Sequence, residues 1–218
     1  MEQTATINRF RINHTIDAPG VSPFGLSWDR EEKTLWCSDD EEKRISKINP
    51  ENGNVLLTIP FDGEVAGCAW DGKHLWQADN RTKTVSQIDP ENGTIVMALA
   101  CDLGEGKFAG ICYDGHDLWI TVHGDSQLRR IRVEDGTILK THPVEKNILG
   151  LGYDHRRLWY TDSDNQLVRL VDPNTGTELM SYELEGRPTG IAFTGKREFW
   201  FANAETKKIH HVTLMPRS

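Results

Sequence analysis

The sequence has no apolar run near the ~18 residues that a membrane-spanning helix needs, and residues 1–14 hold no apolar stretch of the kind an export signal carries. It has no excess of positive charge: 25 Lys and Arg stand against 33 Asp and Glu, a net charge of −8. A phosphate-backbone partner asks for a basic face, so neither nucleic acid nor a membrane is expected as partner. The four cysteines, at 37, 68, 101 and 112, include no C-x-x-C pair and so no zinc-site spacing. Reduced thiols in a monomeric, cytoplasmic protein are the expectation. A G-x-S-x-G elbow, an H-E-x-x-H pair and a glycine-rich phosphate loop are absent too, and no segment carries a helical period of useful length. What remains is a globular composition, 37% apolar and 27% charged, in a chain long enough to bury roughly 70% of its unfolded surface.

What the sequence does have is a repeat. Leu35-Trp36, Leu75-Trp76, Leu118-Trp119, Leu158-Trp159 and Phe199-Trp200 place tryptophans 40, 43, 40 and 41 residues apart. Ahead of each stands a Gly-x-x-aromatic-Asp unit: Gly25 to Asp29, Gly67 to Asp71, Gly110 to Asp114 and Gly150 to Asp154. The fifth, from Gly190, ends in Thr194. All seven tryptophans occupy one of these two slots. Turns of the type Asn49-Pro50-Glu51-Asn52-Gly53 follow in blades one, two and four, shortened to Glu134-Asp135-Gly136 in blade three. Each unit reads as four short strands, A to D, punctuated by Asp, Gly, Asn and Pro.

Four-stranded units repeating every 40–45 residues are the signature of a β-propeller. The expected fold is therefore an all-β, five-bladed propeller in one domain, with blades at about 22–63, 64–106, 107–146, 147–186 and 187–214. The fifth unit lacks a strand D, and residues 9–17 alternate like one. The N-terminal strand is expected to complete the last blade, which removes an open sheet edge. Small residues on strand A (Ser27, Ala69, Cys112, Gly152, Ala192) suit a narrow central channel.

In such a ring the D–A and B–C connections share one face, called the top, and the A–B and C–D turns share the other. The bottom turns repeat their chemistry and read as structural. The top does not. Three residues before each strand-A glycine stand Ser22, Glu64, Lys107, Asn147 and Arg187, polar and all different. They are either a solvated loop or an asymmetric polar funnel that orients a small ligand, with Glu64 and Arg187 gripping opposite ends of a zwitterion or carboxylate. Three residues after the tryptophans stand Asp39, Asp79, Val122, Asp162 and Asn203. Asp39, Asp79 and Asp162 are either caps for local turn amides or carboxylate ligands for a divalent cation such as calcium or magnesium. His123 is the one histidine placed on the top B–C rim, and with Glu64 it is a candidate general base.

Some units resemble those of virginiamycin B lyase and its relatives: Arg187-Pro188-Thr189-Gly190-Ile191, Phe199-Trp200-Phe201-Ala202-Asn203 and Leu158-Trp159-Tyr160-Thr161-Asp162. The resemblance covers nearly the whole chain and implies a propeller of that type. That family has seven blades, and this chain has room for five. The place of the family's catalytic histidine, after the blade proline, holds Phe24 and Thr189 here. Where the family carries a metal-associated glutamate, this chain carries Asp or Asn. A second, weaker resemblance links Ser22-Pro23-Phe24-Gly25-Leu26 to the first blade of the five-bladed, plant-type glutaminyl cyclotransferases. Two functions are open: a ligand-binding propeller with a polar site for a small molecule or peptide at the top mouth, or a metal-assisted enzyme of the lyase, lactonase or cyclotransferase kind.

Overall fold

The computed structural model describes residues 10–144, 148–195 and 197–215. Twenty strands and no helix are formed among them. The first, β1 (Phe10–Asp17), stands apart from blade one, which holds β2 (Pro23–Asp29), β3 (Thr34–Asp39), β4 (Arg44–Ile48) and β5 (Val55–Pro60). Blade two holds β6 (Val65–Trp70), β7 (Leu75–Asp79), β8 (Thr84–Ile88) and β9 (Ile95–Ala100), and blade three β10 (Lys107–Tyr113), β11 (Leu118–His123), β12 (Gln127–Ile131) and β13 (Ile138–Pro143). Blade four holds β14 (Ile148–Tyr153), β15 (Leu158–Asp162), β16 (Leu167–Val171) and β17 (Glu178–Glu183). Blade five has β18 (Pro188–Phe193), β19 (Glu198–Asn203) and β20 (Lys208–Leu214), and its fourth strand is β1. Phe10 pairs with Leu214 and Asp17 with Lys208, so the N-terminal strand closes the ring as the sequence predicts.

Sequence dictates the packing between blades. Each repeat tryptophan leaves its own sheet and enters the apolar cluster of the next blade. Trp119 packs among Ile148, Leu151 and Leu158 of blade four, and Trp200 among Leu26, Leu35 and Ile48 of blade one. All five are at most 5% exposed, so these large side chains are major anchors of the packing between blades. The C–D turns close by the device their sequences announce. Gly53, Gly93, Gly136 and Gly176 sit at φ of +73 to +76°, where a side chain is strained.

The strand-A glycines do a different job. Every A strand bulges where its glycine lies, and there it meets the next A strand backbone to backbone. A Cβ at Gly67 would stand 2.6 Å from the Ile111 nitrogen, and one at Gly190 would stand 2.6 Å from the Leu26 nitrogen. A belt of side-chain bridges locks this level. Ser38 Oγ accepts from the Gly25 amide and donates to the Ala66 carbonyl at 3.0 Å. Thr121 and Thr161 repeat this around blades three and four, reaching Leu149 O and Thr189 O. Thr189 Oγ1 closes the belt on Pro23 O at 2.8 Å. The channel is thereby narrowed to a neck, and strands β2 and β10 of non-adjacent blades approach within 8 Å between Cα atoms.

Candidate functional site

The neck separates two mouths with different chemistry. At the top, the residues singled out by sequence fall into two sets. Asp39, Asp79 and Asp162 are buried and spent on turns. The Asp39 carboxylate accepts the Ser22 and Glu42 amides, both at 2.8 Å. Asp79 accepts the Glu64 and Arg81 amides, both at 2.9 Å, and the Thr82 hydroxyl at 3.0 Å. Asp162 takes the Asn165 amide at 3.2 Å and an ion pair with Arg169 at 2.9 Å. Asn203 does the same for the Arg187 amide at 3.3 Å. Of the two readings of this ring, turn capping is the one these contacts describe. Among the described residues, no group of three His, Cys, Asp or Glu side chains is arranged to hold a metal ion. Blade three breaks the pattern for a packing reason. Val122 is fully buried, and Gly106 lies against it with no room for a Cβ.

The same caps fix the backbone at Ser22, Glu64 and Arg187 and leave their side chains free. Glu64 is half-exposed and pairs with exposed Lys107 of the next blade at 2.7 Å, rather than with Arg187. That partner raises the Lys107 ammonium above its ordinary range, chiefly through the hydrogen bond. Lys107 stands opposite His123 in the ladder, so Glu64, Lys107 and His123 share one corner of the top. Arg187 is exposed on blade five. Asn147 lies outside the described residues.

At the bottom, below the neck, a pocket of about 310 Å³ opens at the end of the channel. Its walls include Ser27, Cys112, Gly152 and Ala192, four of the small strand-A residues. One aromatic residue per blade lines it: Trp28, Trp70, Tyr113, Tyr153 and Phe193. These are the aromatic slots of the repeat, read from sequence only as part of a structural unit. The signal was present. A fivefold ring brings equivalent positions to one axis, so an invariant aromatic builds a cavity as surely as a variable polar residue does.

In blades two, three and four the aspartate after the aromatic is a clamp. Asp71 accepts the Lys73 and His74 amides and the Trp76 indole N–H, the last at 2.8 Å. Asp114 and Asp154 clamp Trp119 and Trp159 in the same way, at 2.9 and 2.8 Å. In blade one the turn is two residues longer, and Asp29 binds Glu31 and Glu32 instead. The buried Trp36 N–H has no hydrogen-bond partner; its ring stacks on Trp70 at 5.8 Å.

Electrostatics at this mouth follow from the same residues. Burial, and then the nearby Asp71 and Asp114, push the Tyr113 hydroxyl up. Burial, and then Asp114 and Asp154, do so for Tyr153. Arg30 reaches across the rim from blade one and donates to His155 Nε2 of blade four. Burial against Tyr153 on one side, and then the Arg30 charge, hold His155 below the usual imidazole range. Burial and then Asp114 raise the Cys112 thiol well above its ordinary range, so it is no nucleophile near neutral pH. All four cysteines are free and buried.

No family model matches this chain, and no curated protein does. Among solved structures it is similar to a glutaminyl cyclase from Myxococcus xanthus, at 14% identity over 97% of this chain and 100% of that one, with a TM-score of 0.82. It is also similar to a catalytically inactive virginiamycin B lyase from Staphylococcus aureus with quinupristin, at 20% identity over 90% of this chain and 68% of that one, TM-score 0.58. A streptogramin B lyase is 14% identical over 98% of this chain and 100% of that one, TM-score 0.59. The resemblance read from the blade motifs therefore holds, at the level of a five-bladed propeller fold with lyase-like and cyclase-like neighbours.

Proposed function

We propose that the protein is a small-ligand-binding β-propeller whose site is the aromatic pocket at the bottom mouth. One observation carries this reading: five aromatic side chains, one from each blade, line a single cavity at the axis. Concave, mostly apolar cavities with a few polar groups are where proteins hold small molecules, and about 300 Å³ is the lower end of their range. Tyr113, Tyr153 and the Arg30–His155 bridge supply the polar groups.

A second reading keeps the site at the top mouth, as a polar funnel for a small molecule or peptide, or as an enzyme. Its support is the corner shared by Glu64, Lys107 and His123, together with a fold like that of a glutaminyl cyclase and a virginiamycin B lyase. Glu64 or His123 is then the base, and Ser22, Asn147 and Arg187 complete the funnel. A divalent cation on Asp39, Asp79 or Asp162 would require those carboxylates to release their turn amides.

A thermal-shift screen of small molecules separates the two. Hits lost in Tyr113→Ala and Tyr153→Ala but kept in Lys107→Ala place the ligand at the bottom. The reverse pattern moves the site to the top and overturns the first reading.

A further inference from the structure

We propose that the bottom pocket selects a small organic cation, an alkylated ammonium group on a compact body; this rests on the pocket being the ligand site. The walls supply the first argument. A cation is attracted to the electron-rich face of an aromatic ring, and alkylated ammonium ions, which shed water easily, are held by several such rings at once. Here Trp28, Trp70, Tyr113, Tyr153 and Phe193 surround one space.

The charges supply the second. Asp29, Glu31, Asp71 and Asp114 line the pocket with one guanidinium, that of Arg30; Arg130 pairs with Asp114 at 2.9 Å and Lys47 stands 3.9 Å from Asp29, so the negative field rests chiefly on Asp71 and Glu31. Burial first, and then Asp71 and Asp114 for Tyr113 and Asp114 and Asp154 for Tyr153, push both hydroxyls above their ordinary range. A cation entering between low-dielectric walls feels the negative field more strongly than on an open surface.

The third argument decides which cation. The Asp71 and Asp114 oxygens are occupied by turn amides and by the indole N–H groups of Trp76 and Trp119. Asp29 is likewise tied to its turn. Held by these contacts, none of the three turns to coordinate. A hard divalent ion asks for six to eight oxygen ligands in its first shell, which these residues do not release. An ammonium with a hydrocarbon surface needs only the rings and the field.

The molecule already offers a cation to this rim. Arg30 leans from blade one to His155, beside Tyr153. It lines the pocket itself and therefore competes with any cationic ligand.

The test uses choline and its uncharged isostere 3,3-dimethylbutan-1-ol, titrated against the full-length protein. Quenching of tryptophan fluorescence and thermal shift are the readouts. Choline is expected to bind at least ~10-fold more tightly than the alcohol, the factor that about 1.4 kcal/mol of cation–π and field attraction gives. Arg30→Gln, a change of an exposed side chain, should tighten choline several-fold and raise the ratio of choline to alcohol affinity, because the removed charge opposes only the cation. Tyr153→Ala should weaken choline. Equal or tighter binding of the alcohol, lost in Tyr153→Ala, overturns the cation proposal and leaves the pocket standing. Choline binding indifferent to both substitutions places it elsewhere and overturns the proposal. Binding of neither probe to the wild type or to Arg30→Gln overturns the proposal, and with the small-molecule screen also blank the pocket reading falls too.

Discussion

The two ends of one channel, built from the same five repeats, have opposite designs. At the bottom each blade contributes an aromatic to one cavity, and blades one to four follow it with an aspartate locked into the scaffold. At the top the capping Asp or Asn recurs while Ser22, Glu64, Lys107 and Arg187 differ from blade to blade; Glu64 and Lys107 reach one another, and Arg187 is exposed. The difference teaches that sameness among repeats does not separate structure from site. Around an axis, repeated residues meet, and repeated turn chemistry and a ligand-sized ring can be made by adjacent positions of one motif.

If the bottom anchors are as structural as their contacts say, emptying one is the most damaging single change. Trp119 is 2% exposed, packs into blade four, stacks on His142 at 6.0 Å and donates to Asp114. Trp119→Ala should cost about 3–5 kcal/mol, the usual range for a vacated large aromatic site, measured by urea denaturation. A loss below about 1 kcal/mol would mean that the ring is not an inter-blade anchor.

The strongest cap at the top comes next. Asp162 is fully buried, and its ion pair with Arg169, itself 14% exposed, is more than a turn contact. Asp162→Ala leaves that guanidinium with Glu178 as its remaining carboxylate. A loss of about 2–3 kcal/mol is expected in the same assay, since removing one partner strands a largely buried charge. An unchanged stability would return Asp162 to the list of residues free to hold a ligand.

A finer contrast lies within the bottom ring. Trp76→Phe removes a 2.8 Å hydrogen bond from Asp71 and should cost about 1–2 kcal/mol. Trp36→Phe removes an indole N–H that has no partner, so its cost should stay within about 0.5 kcal/mol of the ring's own packing difference. Equal losses in the two variants would show that the aspartate clamp contributes nothing beyond geometry.

These contrasts also mark how far the sequence could be read. The blade count, the strand boundaries near each Leu-Trp pair and the closing strand at residues 10–17 followed from period, alternation and turn residues, because each depends on local chemistry repeated five times. The glycine neck was legible only in part. The invariant glycines are plain in the sequence, but their reason, backbone contact with the next blade, is a property of the closed ring. The carboxylates at 39, 79 and 162 looked alike as caps or ligands because both roles use the same oxygen atoms, and only the positions of the amides decide which one an oxygen serves. The bottom cavity is legible only through the closed ring. Trp28 and Tyr153 are about 125 residues apart, and it is their equivalence in the repeat, not local chemistry, that brings them to one axis. The pairing of Glu64 with Lys107 rather than Arg187 depends on which side chain reaches the neighbouring blade.

The smallest effect is expected where the sequence looked most like a site. Glu64 and Lys107 form a 2.7 Å pair whose members are largely exposed, and such pairs add little to stability because water screens them and both side chains lose freedom. Glu64→Gln and Lys107→Ala should each leave the melting temperature unchanged within error. Each should also leave the affinity of any ligand bound at the bottom mouth unchanged. The pair therefore gives a clean control on the comparison between the two ends. If either substitution abolishes binding or turnover of a small molecule while Tyr153→Ala does not, the polar corner of Glu64, Lys107 and His123 is the working end of the channel, and the aromatic ring beneath the neck is scaffold.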